Sequence, residues 1–256
     1  MTDDMLLVDV EDGIATLTMN RPDKRNAMCD ELLHAIDGFF RAPPEEVKAV
    51  VLTGTAGHYC SGLDLSEHKS RDAEGTMRHS RGWHEVMDRI QYGGLPVVSA
   101  MFGAVIGGGL ELATSTHVRI AEPSTIFQLP EGRRGIYVGG GASVRVGRIL
   151  GADRMVEMML TGRKYGAEDG YVLGLTHYSV GEGEALNMAQ DLARKIARNA
   201  PLSNYVMIHA LSRIEDMDKA GGLFTESLCA ALTQTSPDAI EGLAAFLEKR
   251  APSFGA

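Results

Sequence analysis

The chain has 256 residues, a formal net charge of −9 and 44 % apolar against 23 % charged residues, which leaves room for one large globular domain with a full core. That acidic balance argues against a nucleic-acid or anionic-membrane surface as the main partner, but leaves open an anionic small molecule held by a few local cations. The 30 glycines amount to roughly 12 % of the chain against an ordinary usage of about 7 %, and they follow no repeat. The longest apolar run, Ala100 to Leu110, falls short of the roughly 20 residues a membrane span needs. Met1 to Gly13 has neither the basic segment nor the apolar stretch of a signal peptide. Cys29, Cys60 and Cys229 form no CxxC pair, so a reducing, cytoplasmic compartment is expected.

In chain order, Leu6 to Val10 and Ile14 to Met19 flank an Asp12-Gly13 turn and predict a hairpin. Leu32, Ile36 and Phe39 recur at helical spacing, and Val47 to Thr53 is an apolar, β-branched strand. Trp83, Met87 and Ile90 mark a second helix, Pro96 to Phe102 another strand, and Ile126 to Leu129 a further one. This alternation predicts a layered α/β core. Ala185, Met188, Ala189, Leu192 and Ile196 form one helical stripe, and Ile240, Leu243, Ala244 and Leu247 another. Pro201 and Pro237 suit first turns of helices, so about the last 60 residues read as all-helical.

Sixteen glycines lie between Gly54 and Gly141 and only four follow Pro201, so the excess calls for a local explanation. Gly107-Gly108-Gly109 follows a strand and opens a helix, where uncovered N–H groups suit an anion or a developing oxyanion, or else form a tight packed turn. Glu111 lies one turn beyond, between Leu110 and Leu112, and Glu131 follows a strand and Pro130. Carboxylates in apolar surroundings are prepared for proton transfer, whereas a salt bridge from Glu131 to Arg133 or Arg134 is the structural alternative. Gly139-Gly140-Gly141 resembles a phosphate cradle without the Walker Lys-Ser/Thr pair. His58 and Cys60 make a weak nucleophile–base pair, and neither a GxSxG elbow nor a dinucleotide fingerprint is present.

Taken in order, Asn20-Arg-Pro-Asp-Lys-Arg-Asn-Ala27, Tyr59-Cys-Ser-Gly-Leu-Asp-Leu65, Gly107-Gly-Gly-Leu-Glu-Leu112, Leu129-Pro-Glu131 and Ala244-Ala-Phe-Leu-Glu-Lys-Arg250 resemble the crotonase (enoyl-CoA hydratase/isomerase) superfamily over nearly the whole chain. The resemblance implies a spiral of strand-strand-helix repeats over residues 1–196 and a helical oligomerisation region over 197–256, assembled as a trimer or a dimer of trimers. It implies an oxyanion hole at the N–H groups of Ser61 and Gly108, and a catalytic pair of glutamates twenty residues apart, here Glu111 and Glu131. An acyl-CoA thioester would be held by Lys24, Arg25, Ala27, Ser61, Gly62, Leu63, Asp64 and Leu65, with Lys249 reaching in from a neighbouring subunit. No metal and no cofactor are implied, coenzyme A being part of the substrate. The expected activity is hydration of a 2-enoyl-CoA, with an isomerase, a hydrolase or C–C lyase, and a non-catalytic acyl-CoA binder as alternatives. Phe102-Gly103, the Tyr137 to Arg145 stretch and Gly132-Arg133-Arg134 depart from the family pattern, which leaves the acyl group open.

Overall fold

The computed structural model describes residues 5–67 and 71–254; Met1 to Asp4, part of the segment read as lacking a leader, lie outside them. β1 (Leu6–Glu11) and β2 (Ile14–Met19) pair antiparallel with Glu11 opposite Ile14. Asp12 and Gly13 both have positive φ, 51° and 78°, as a two-residue turn matching the strand twist requires. α1 (Asp30–Arg41) follows, then β3 (Ala49–Gly54), which is buried along its whole length. α1 turns Leu32, Leu33, Ile36 and Phe40 inward, so its buried edge ends on Phe40 while Phe39 stays half-buried.

The spiral is visible in how strands alternate between two sheets. β4 (Val97–Met101) runs in the large sheet, β5 (Ala104–Ile106) in a small one, and α3 (Gly108–Thr114) closes that turn. β6 (Val118–Ala121) and β7 (Ile126–Gln128) repeat the pattern, followed by a 3₁₀ turn over Glu131–Arg134, α4 (Ala142–Leu150) and α5 (Ala152–Thr161). Between β3 and β4 stands α2 (Ala73–Tyr92), capped by Asp72. β8 (Tyr165–Gly166), α6 (Ala167–Val172), β9 (Tyr178–Ser179) and α7 (Ala185–Ile196) complete the core. The large sheet has the order β1-β2-β3-β4-β6-β9, parallel apart from the opening hairpin, and the small sheet β5-β7-β8.

Strand alternation sends Val50 and Leu52 into the main core with Leu32, Ile36 and Met87. Ala49 and Val51 face the other way, against Ala185, Ala189 and Ala193 of α7. Small residues one turn apart let that helix lie close on the sheet. α8 (Pro201–Ile214), α9 (Lys219–Gln234) and α10 (Pro237–Glu248) form the helical end, with Pro201 and Pro237 in first turns. The α10 stripe faces outward, however: Ile240, Leu243 and Leu247 are 69 %, 62 % and 71 % exposed. No helix among the described residues is long and apolar enough to cross a membrane.

Candidate active site

Two backbone segments meet at the mouth of α3. Cys60 bridges Val105, and Gly109 lies so close under the Cys60 carbonyl that a Cβ there would collide with it. A second bridge pairs Met28 with Leu63: the Met28 N–H donates to Gly62 O (2.8 Å) and the Asp64 N–H to Met28 O (2.9 Å). In a ladder the flanking groups face the partner, so the Leu63 N–H faces the opposite side and takes no acceptor among the described residues. The Gly108 N–H opens α3 with no preceding turn to accept it. Gly62 sits between the two segments at φ 99°, and a Cβ on it would stand 3.2 Å from the Gly108 nitrogen.

The cavity in front of these groups contains both glutamates. Glu111 is 4 % exposed, and its Oε1 accepts the N–H groups of Gly140 (2.8 Å) and Ala142 (3.1 Å). Burial pushes its carboxyl up, opposed by the Ala142 and Gly140 N–H groups and the Arg145 charge. The Gly139–Gly141 run therefore cradles a carboxylate of the same chain, not a phosphate. Glu131 is 8 % exposed, and its buried Oε2 has no hydrogen-bond partner. Its carboxyl is raised to about 7, first by burial and further by the Glu111 charge, against its own N–H and Arg134. The salt bridge considered for Glu131 is not formed: Arg133 turns to the Thr161 carbonyl (2.8 Å), and Arg134 acts only at a distance.

Of the two donors expected for an oxyanion, Gly108 fits and Ser61 does not. The Ser61 N–H is engaged by Arg25 O at 3.0 Å, so the free donor on that segment belongs to Leu63. Ser61, Gly62, Leu63 and Leu65 line the cavity. Lys24, Arg25, Ala27 and Asp64 line an adjoining groove that shares Ser61, Leu63, Leu65 and Arg134 with it. Arg133 and Lys164 add two further cations to that groove. Asp64 itself is structural: despite burial, its bonds to Ser66 and Arg21 (2.9 Å) hold its carboxyl below the usual range. Lys249 caps α10 and lines neither space in this chain. Cys60 is fully buried with its thiol pushed up to about 12, and His58 Nδ1 accepts the Ala104 N–H, so that pair is scaffold. Among the described residues no group of three His, Cys, Asp or Glu side chains is placed to hold a metal ion.

Within the Asn20–Ala27 motif, Asn26 is scaffold as well. Asn26 is fully buried at φ 57°, donating to the carbonyls of Thr55 (3.0 Å) and His58 (2.7 Å) and accepting the Arg21 N–H (2.9 Å). Asn26→Ala leaves two carbonyls and an N–H unsatisfied and puts a plain L-residue in a left-handed conformation. A loss of about 3 kcal/mol is expected in denaturant unfolding.

The family model for enoyl-CoA hydratase/isomerase matches residues 9–256. A Rhodopseudomonas palustris structure, provisionally described as an enoyl-CoA hydratase, superposes with a TM-score of 0.94 at 45 % identity, covering 96 % of this chain and 95 % of that one. The human mitochondrial enoyl-CoA hydratase domain-containing protein 2 is 32 % identical over 97 % of this chain and 87 % of its own length. The Escherichia coli K12 2,3-dehydroadipyl-CoA hydratase is 31 % identical over 97 % of this chain and 98 % of its own. With the spiral, the two glutamates and the paired backbone donors in place, the chain belongs to the enoyl-CoA hydratase/isomerase family of the crotonase superfamily.

Proposed function

We propose that this protein adds water across the double bond of a 2-enoyl-CoA to give the 3-hydroxyacyl-CoA. The observation that carries the reading is two buried glutamates on one cavity with the free N–H groups of Leu63 and Gly108. The thioester oxygen accepts those N–H groups, which drains electron density from the β-carbon. Glu111, held by two N–H bonds that favour its ionised form, takes a proton from water as the hydroxyl oxygen bonds to the β-carbon. The displaced π electrons pass through the enolate, and Glu131 gives its proton to the α-carbon. Proton return from Glu111 to Glu131 resets the pair. The chemistry asks for no cofactor, and Lys24, Arg25, Arg133 and Lys164 supply the cations that coenzyme A phosphates require. An isomerase needs one mobile base, so the rigid cradle around Glu111 favours hydration.

The helical end belongs to the same proposal. Leu228, Leu232, Phe246 and Leu247 are more than half exposed, an apolar face suited to further copies of this chain in a trimer or dimer of trimers. In such an assembly Lys249 would approach a neighbour's substrate.

Loss of the conjugated thioester absorbance with crotonyl-CoA and with longer or aryl enoyl-CoAs tests the reading; no hydration of any of them sinks it. The pH profile is an independent check. Glu131 must be protonated to act, so kcat is expected to fall as pH rises through about 7. The acid limb, where Glu111 takes up a proton, is expected above the usual carboxylate range. A flat profile from pH 5 to 9 contradicts these roles.

A further inference from the structure

α2 presents one stripe to the interior, and the stripe changes character halfway along. Trp83, Val86, Met87 and Ile90 are apolar and pack in the core. The same spacing continues N-terminally as the half-buried Ser80, whose hydroxyl donates to Gly139 O (2.6 Å), the half-buried His79 and the exposed Thr76; all three line the cavity, as does Arg71 just before the cap. Leu65, Ile106, Ile136 and Val138 give the same cavity an apolar lining for a hydrocarbon chain, but a hydrocarbon terminus would not compensate the desolvation of the guanidinium, imidazole and hydroxyls on this wall.

The wall runs away from the reacting carbons. Any Cβ on Gly108 or Gly140 would press on the Trp83 ring at 2.9 and 3.0 Å, so Trp83 marks the catalytic end. From Trp83 back to Thr76 the helix covers about 10 Å, and Arg71 lies beyond. The cationic groove does not include Arg71, Thr76, His79 or Ser80, so this wall of the cavity lies outside the groove proposed for coenzyme A. Arg71 is held but not saturated. Its Nη2 meets Asp30 Oδ2 at 3.5 Å, and Asp30 shares its other oxygen with His79 Nε2 at 3.1 Å. Most of the guanidinium fork remains for a planar acceptor.

We propose that the acyl group carries a carboxylate at its far end, received by Arg71 with Thr76 and His79 beside it. This rests on the reading of the cavity as an acyl-CoA site and adds the substrate class. The test is calorimetric binding of two saturated six-carbon thioesters, hexanoyl-CoA and its analogue with a terminal carboxylate. The carboxylated ligand is expected to bind about tenfold tighter or more, as a charge-assisted bond implies. Arg71→Gln is expected to bring the two affinities together, and Arg71→Lys to leave an intermediate ratio. Equal affinities in the unaltered protein, or a preference that survives in Arg71→Gln, overturns the proposal. Saturated ligands are not turned over, so this outcome stands apart from hydration: a protein that prefers the carboxylate but hydrates nothing keeps the pocket and loses the hydratase reading.

Discussion

Glu131→Gln is expected to lower kcat by about 10²–10⁴-fold, the usual worth of a positioned acid, while making the protein more stable at alkaline pH. The two effects share one cause. Burial raises the Glu131 carboxyl to about 7, above the roughly 4.3 of an unfolded chain. The folded state therefore holds this proton more tightly, and the stability it contributes is complete below about pH 4 and lost as pH rises through 7. Above pH 7 the native fold carries a buried charge whose Oε2 meets no donor. Glutamine is neutral throughout, so its Tm should exceed that of the unaltered protein at pH 8 and approach it at pH 5. A variant that loses activity and stability together at pH 8 would make Glu131 a structural residue.

Gly140→Ala is expected to lower kcat by about 10²-fold, the usual effect of misplacing a catalytic group by about 1 Å. A Cβ at Gly140 would stand 2.6 Å from Glu111 Oε2 and 3.0 Å from the Trp83 ring, so the carboxylate must leave its cradle. The neighbouring Gly139→Ala is the control, because its nearest contact is Ser80 Oγ at 3.7 Å, ordinary van der Waals distance. Steady-state kinetics of the two variants with one enoyl-CoA decides the matter. Equal losses in both would mean that the loop is merely intolerant of side chains.

Much of the architecture is legible in single segments. The Asp12-Gly13 hairpin, the buried β3 strand and the helices opening at Pro201 and Pro237 follow from local propensity and periodicity. Glu111 stands out between Leu110 and Leu112, whereas Glu131, followed by Gly132-Arg133-Arg134, is singled out by the family resemblance and its twenty-residue spacing from Glu111. What escapes the sequence depends on register or on distant partners. Ser61 and Leu63 stand two residues apart on one segment, and only distant partners tell them apart: Arg25 O takes the Ser61 N–H, whereas the Met28 bridge leaves the Leu63 N–H facing away. The Gly139–Gly141 run looks like a phosphate loop until Glu111, from another element, is found in it. The α10 stripe has helical spacing whether it faces a core or a surface, and only the packing shows that it faces out.

The donors proposed to polarise the thioester, at Leu63 and Gly108, are main-chain atoms, and on that reading this part of the machinery is invisible at its own codons. Exchanging the Leu63 side chain removes no proton from its amide, so drift there leaves the polarising pair in place. The inheritance that matters sits in neighbours with no chemistry of their own: Cys60 and Gly109, whose close approach keeps one segment aligned with the other. In this fold, a residue's chemical inertness is no guide to how freely it can vary.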